Sequence, residues 1–327
     1  MRIAIIGGGA IGSLIAARLV STDASVSLVV RRAEAAATIN AGGIQVTNPD
    51  GSEAVAGVHT TADASSLPKQ GVVILCTKAY ALETTLPAIA QLSGPETVVV
   101  PMLNGVPWWY PAAQPAPLAG RRLASVDPDG ALKTAIPEDH IVGALTYVAV
   151  LNRGDGSIHH VGNQTFVFGD PAGRMTPELA AVTEAFRKAG FDASATPDIR
   201  AAIWTKLWGN LAFAPLSVLT QSSSLLLCTD PEVRAVAATM MAEGQAVAER
   251  LGVRFAMTIP ARIDATAGLG DFKTSMLQDY EAGRKLELDA IVGAVIELAE
   301  IVGVPVPTLR TVRALVDLRA GVAPIAR

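Results

Sequence analysis

Six residues near the start of the chain can hold a phosphate with backbone alone. Gly7-Gly8-Gly9-Ala10-Ile11-Gly12 fits the pattern GxGxxG. In such a turn the first glycine permits the tight bend and the second lets the backbone approach a pyrophosphate with no Cβ in the way. The third allows the following helix to pack on the strand. Ala10 and Ile11 open that helix, whose unpaired N–H groups and positive dipole end would face the anion. The pattern is weak alone, but an apolar run before it and helical spacing after it make a dinucleotide the expected ligand. The end of the next strand sets which one, because an NAD protein places Asp or Glu there for the ribose 2′-OH. This chain has Arg31 and Arg32, and the next acid is Glu34. A guanidinium at Arg31 can grip a 2′-phosphate bidentately, so NADP (NADPH) is the expected cofactor. The alternative is two solvated surface charges.

A second set of polar residues is scattered further along. Lys206 and Asn210, four apart in a helical pattern, project from one face. Lys206 lies between Trp204 and Trp208. As a surface lysine it would rest its stem on them; desolvated, its ammonium would have a lowered pKa and could give up a proton. Lys78 follows a strand, at the rim where doubly wound sheets bind ligands. Asn104 before Gly105 reads either as a left-handed turn or as a site amide with one acceptor and two donors. Ser275 competes with Asp271 and Thr274 to cap a helix. Glu287 reads equally as a surface ion pair with Lys285 or Arg284. No HxxxH or HExxH spacing occurs, so no metal site is expected.

The elements that must position these residues fall into two patterns. Met1–Ile6, the glycine cluster, a helix over Ile11–Leu19 and a strand over Val26–Val30 make one βαβ unit. Gly71–Cys76 and Thr97–Val100 are continuous apolar runs, as in strands buried on both faces. Ala81–Leu92 reads as a helix bent or split at Pro87. Such alternation indicates a doubly wound parallel sheet, an α/β Rossmann domain. Leu145–Leu151 and Thr165–Gly169 read as strands at its edge, flanking a turn over Asn152–Ser157. A helix spans Thr176–Ala189. After Pro197 strand signals fade, and Ile199–Phe213, Pro231–Leu251, Ser275–Ala282 and Leu286–Ile301 read as helices. The expected domains are residues 1–196, Rossmann, and 197–327, all-helical. Pro101–Pro117, with five prolines and three aromatics, is the least regular stretch and a candidate functional loop.

Composition excludes several classes. The chain has 327 residues, 50% apolar and 17% charged, which rules out a disordered protein. The net charge is −4 and no Lys/Arg run exceeds a pair, so no nucleic-acid partner is expected. Cys76 and Cys228 belong to no CxxC and read as reduced, buried thiols of a cytoplasmic protein. Met1–Ala10 ends in glycines rather than a cleavage site and is better explained as a first strand. No run of ~20 apolar residues suggests a membrane span.

Beyond the glycine turn, four segments resemble the ketopantoate reductase family (2-dehydropantoate 2-reductase). They are Cys76-Thr77-Lys78-Ala79-Tyr80, Leu103-Asn104-Gly105-Val106, Trp204 through Asn210, and Ser275 through Asp279 followed by Glu287. They occur in the family's order and at similar spacing over nearly the whole chain. The resemblance implies NADPH-dependent reduction of 2-dehydropantoate, or a related 2-oxo acid, to the 2-hydroxy acid. It assigns Lys206 as the acid that protonates the carbonyl oxygen, with Glu287 beside it. Asn210, Ser275 and Asn104 would bind substrate, and Lys78 and Asn104 would face the nicotinamide end of the cofactor. A homodimer through the helical domain is a further implication. The chain departs from the family in having Ala214 where a second asparagine usually stands, and in following Asn104-Gly105 with Trp108-Trp109-Tyr110. These departures suggest a bulkier or more apolar acid. The alternatives are a dehydrogenase of another hydroxy acid on the same scaffold, or a non-catalytic NADP sensor presenting the Pro- and Trp-rich loop.

Overall fold

The first strand, β1 (Arg2–Ile6), is buried from Ile3 to Ile6, and everything at the amino-terminal end is built on it. The computed structural model describes residues 1–153 and 157–322; the middle of the turn expected over Asn152–Ser157 lies outside them. The chain divides into two units, one of Met1–Leu103 with Ala131–Ile199, the other of Asn104–Gly130 with Arg200–Arg327.

In the first unit α1 (Ala10–Leu19), β2 (Ser25–Val29), α2 (Ala33–Gly42), β3 (Ile44–Thr47), β4 (Glu53–Ala56), β5 (His59–Thr61) and β6 (Val72–Leu75) follow β1. Then come α3 (Leu86–Leu92) and β7 (Val98–Pro101). The strands β5-β2-β1-β6-β7 form a five-stranded sheet in that order, parallel at every pairing. β6 and β7 are buried throughout, which is why their sequences are unbroken apolar runs rather than alternating ones. Together with its flanking helices this is the expected Rossmann-like α/β architecture. The helix expected over Ala81–Leu92 is split: two 3₁₀ turns, Ala79–Ala81 and Glu83–Thr85, precede α3. Pro87 falls in the first turn of α3, where its missing N–H costs nothing.

The rest of the unit is α4 (Ala131–Ala135), β8 (Gly143–Thr146), β9 (Ala149–Asn152), β10 (Ser157–Gly162), β11 (Thr165–Gly169), α5 (Pro177–Lys188) and β12 (Asp192–Ala195). Here the expectation of one strand over Leu145–Leu151 is corrected. β8 pairs with β11 and β9 with β10, in two separate sheets ordered β12-β11-β8 and β4-β3-β10-β9. The break has a local cause: Thr146 Oγ1 accepts from Val148 N at 3.1 Å, a side-chain turn that competes with the ladder. The strands β3, β4, β5 and β10 were not anticipated; β4 has no buried residue, so no alternation marks it.

The second unit is helical: α6 (Ile199–Thr220), α7 (Ser224–Thr229), α8 (Pro231–Arg250), α9 (Ile259–Ala267), α10 (Ser275–Glu281), α11 (Ala294–Val302) and α12 (Pro307–Ala320). α6 runs seven residues past the expected Phe213, through Pro215. Pro215 removes one helical hydrogen bond, but residues 211–218, the proline included, are all buried, and that packing holds the helix. Residues 104–130, expected in the Rossmann domain, belong instead to this unit; Val106, Tyr110, Leu118 and Leu123 join its core. The helix expected from Leu286 starts later, with a π turn at Asp289–Gly293 leading into α11. Among the described residues no helix is long and apolar enough to cross a membrane.

Candidate active site

The glycine turn sits where three parallel strands end. Gly7 N donates to Val29 O at 2.9 Å, and Cys76 N to Ile6 O at 2.8 Å. Gly7 has φ +115, and a Cβ there would lie 2.7 Å from Cys76 O, so no other residue fits. A Cβ at Gly12 would lie 2.0 Å from Gly7 O, which is the close approach of α1 to the strand. Gly9 differs: a Cβ there would meet nothing within 4 Å. Gly9 is also the N-cap of α1, with no side chain occupying the helix end. Beside Gly7, Thr77 Oγ1 is buried without a hydrogen-bond partner. Open space over Gly9, an unblocked helix N-terminus and an orphaned hydroxyl are the features a bound pyrophosphate would use. The residues therefore fit a dinucleotide. Thr77 was missed in the sequence, although it lies inside the segment Cys76–Tyr80. Ala10 and Ile11 form the first turn of α1. Arg31 and Arg32 are exposed beyond the end of β2, and Arg32 is the N-cap of α2 without a side-chain bond. Lys78 is half-buried and precedes the 3₁₀ turn after β6. All these residues belong to the first unit.

The second unit brings together three of the residues singled out in its sequence. Lys206 Nζ donates to Asn104 Oδ1 at 2.7 Å. Burial pushes the Lys206 ammonium down from 10.5 to about 8, and the negative charge of Glu287 pulls the other way. Glu287 is itself buried, at 7% exposure, and its neighbour Arg284 pairs with Asp279 at 2.8 Å. A surface ion pair with Arg284 is therefore not what Glu287 makes. Asn210 lies one turn after Lys206 on α6, half-buried. Ser275 is exposed at the first position of α10. The cap is Thr274, whose Oγ1 accepts from Leu277 N at 3.2 Å and lies 2.6 Å from Ser217 Oγ. Ser217 is on α6, so this contact ties the helix bearing Lys206 to the start of the helix bearing Ser275. The Ser275 hydroxyl is thereby left out of capping.

The aromatic run after Asn104 is buried. Trp108, Trp109 and Tyr110 are 3%, 3% and 1% exposed. Trp204 Nε1 donates to Tyr110 Oη at 2.7 Å, and Trp208 Nε1 to Met241 O at 2.8 Å. Arg200 lies over the Trp109 and Tyr110 rings. Its Nε donates to Tyr110 O at 2.9 Å and its Nη2 to Ala112 O. Ala214 is buried as well. Tyr110 and Ala214 belong to the core of the helical unit, whereas Trp108 and Trp109 are buried with neither indole N–H hydrogen-bonded.

A Rossmann-like unit with an open glycine turn, and a helical unit with a desolvated lysine held by an amide, define a dinucleotide-dependent oxidoreductase. The chain matches the family models Ketopantoate reductase PanE/ApbA over residues 3–173 and Ketopantoate reductase PanE/ApbA C terminal over residues 198–320. It is 44% identical over 317 residues to a Mesorhizobium japonicum protein named 2-dehydropantoate 2-reductase, covering 97% of each chain. Among solved structures it is similar to a Ralstonia solanacearum chain provisionally named a ketopantoate reductase (TM-score 0.92, 39% identity, 98% of each chain). It is also similar to 2-dehydropantoate 2-reductase from Methylococcus capsulatus (TM-score 0.83, 27% identity, 98% of each chain). The chain belongs to the ketopantoate reductase family.

Proposed function

We propose that the protein reduces 2-dehydropantoate to the corresponding 2-hydroxy acid with NADPH. The observation that carries this reading is the ammonium of Lys206, desolvated, held by Asn104 Oδ1 and brought to about 8. Bound on the glycine turn, NADPH supplies the hydride that the keto carbon receives. The oxygen left behind needs a proton, and a lysine brought down to about 8 gives one up more readily than an ordinary lysine. Nζ has three donors; Asn104 takes one and so orients the others. Glu287 keeps the ammonium loaded against desolvation. Asn210, one turn along, and Ser275, free of capping, supply donors for the carboxylate and hydroxyl of the acid. In the first unit Lys78 would serve the nicotinamide end of the cofactor, and Arg31 the 2′-phosphate.

A non-catalytic NADP sensor has no use for a desolvated ammonium, and the aromatics of its expected contact surface, Trp108, Trp109 and Tyr110 in the Pro- and Trp-rich loop, are buried. We place the protein in the cytoplasm, since Cys76 and Cys228 are free thiols. A homodimer through the helical unit is supported by Leu315 and Leu318, exposed together on α12. The test is NADPH consumption against 2-dehydropantoate and a panel of larger 2-oxo acids, with Lys206→Ala in parallel. Fast turnover of 2-dehydropantoate, lost in the variant while NADPH still binds, is expected. Turnover of larger acids alone would reject the substrate.

A further inference from the structure

The two groups that act on Lys206 both lie beside one irregular turn: Val106 N donates to Ala290 O, and Ile291 N to Glu287 O at 3.1 Å. Glu287 leads directly into the π turn Asp289–Gly293, in which Ala294 N–H reaches back five residues to Asp289 O. Such a turn carries one more residue than an α turn and is an uncommon, costly feature, found often at functional sites. Its Ala290 carbonyl accepts from Val106 N at 2.8 Å. Val106 is two residues beyond Asn104, and Gly105 lies between them. Gly105 has φ +82, and a Cβ there would lie 2.3 Å from Ala290 O and 2.9 Å from Ile291 N. Those are backbone atoms, which cannot swing aside as a side-chain tip can. Gly105 is therefore glycine for two independent reasons, left-handed backbone and contact with the π turn. On the other side of the turn, Arg313 Nη2 donates to Asp289 Oδ1 at 2.7 Å. The same guanidinium covers Gly293, where a Cβ would lie 2.7 Å from its Nη1. The turn is thus braced from two sides.

We propose that Gly105 and the π turn Asp289–Gly293 form a positioning clamp for the proton donor. Gly105 is a positioning residue that acts through Asn104: seating Gly105 and Val106 on Ala290 fixes where the Asn104 carbonyl oxygen meets Lys206 Nζ. The same turn fixes the position of Glu287. The Asn-Gly pair is then not an ordinary surface turn but one half of a backbone joint, and its partner is the helix irregularity 185 positions later in the chain. This inference rests on the reductase reading, in which Lys206 is the acid.

A double-mutant cycle on the full-length protein separates this role from a purely structural one. Asn104→Ala removes the acceptor of a charged donor and is expected to lower kcat roughly 10- to 10²-fold. Gly105→Ala is expected to lower kcat by a similar factor, and to change NADPH affinity no more than Asn104→Ala does. Acting through Asn104, Gly105→Ala should add little once Asn104 is gone, so the double variant should match the worse single one. A double variant whose loss is the product of the two single losses overturns the proposal. So does a Gly105→Ala protein that turns over within ~2-fold of wild type while Asn104→Ala is impaired. If Asn104→Ala and Lys206→Ala both keep wild-type turnover, the reductase site itself is misassigned, and the proposal falls with it. Where Gly105→Ala does not fold, amide exchange of wild-type Val106 decides. Slow exchange supports the bond to Ala290, and exchange at the rate of an open chain overturns it.

Discussion

Replacing Lys206 by Met should change how stability depends on pH, and the size of the change follows from the site. The folded chain holds the Lys206 ammonium with a pKa of about 8, against 10.5 for an ordinary lysine. The cost of keeping it charged inside is roughly 3 kcal/mol. That cost is fully present below pH 8 and disappears above 10.5, because between these values the unfolded chain binds more protons than the folded one. Wild type therefore gains stability relative to Lys206→Met as pH rises. From about pH 7 to about pH 9.5 the relative gain should be about 2 kcal/mol. Met also leaves Asn104 Oδ1 without its donor and Glu287 without its counter-charge, but these losses are nearly constant over that window and cancel from the slope. The four tryptophans, Trp108, Trp109, Trp204 and Trp208, all lie in the second unit. Denaturant titration followed by tryptophan fluorescence therefore reports the unit that carries Lys206. Parallel stability curves for wild type and Lys206→Met across this range would refute the claim that the ammonium is desolvated.

Three further perturbations test other parts. Gly12→Ala would put a Cβ 2.0 Å from Gly7 O and should abolish NADPH binding, measured by calorimetry; unaltered affinity would mean that the turn is not the phosphate cradle. Arg31→Ala should weaken NADPH by roughly 10-fold, and less at high salt because Arg31 is exposed, while leaving NADH nearly unaffected. Equal losses for both cofactors would remove Arg31 from the 2′-phosphate. Arg200→Met leaves the carbonyls of Tyr110 and Ala112 without a buried donor and should destabilise the helical unit by about 3 kcal/mol. A fluorescence midpoint like that of wild type would show that the Trp108–Tyr110 segment is held by something else.

Much of this was legible in the sequence because the features concerned are local. Gly7, Gly9 and Gly12 answer to backbone geometry within one turn, and the runs Val72–Leu75 and Val98–Pro101 are apolar because both faces are buried. Lys206 and Asn210 share a helix, so their common face follows from spacing. What was not legible depends on contacts between distant segments. Arg200, some ninety residues on, covers the Trp109 ring and bonds Tyr110 O; a tryptophan pair beside a glycine looks the same whether it lines a pocket or fills a core. The strand broken at Thr146 turns on one side-chain bond to Val148, which periodicity does not register. The π turn after Glu287 has no compositional signal, and residues 104–130 belong with the helices through contacts made far along the chain, Val106 with Ala290, Tyr110 with Trp204 and Arg200.

The central claim is that Lys206 is the proton donor of a reversible reduction, and the most direct measurement is kcat against pH in both directions. An ammonium that must give its proton makes reduction fall as pH rises through about 8, the value set by burial. The reverse oxidation needs the neutral amine and must rise through the same point. Lys206→Ala should lose roughly 10²- to 10⁴-fold in both directions and lose the inflection with it. Inflections that persist in Lys206→Ala, or that move in the same direction for reduction and oxidation, would contradict the account.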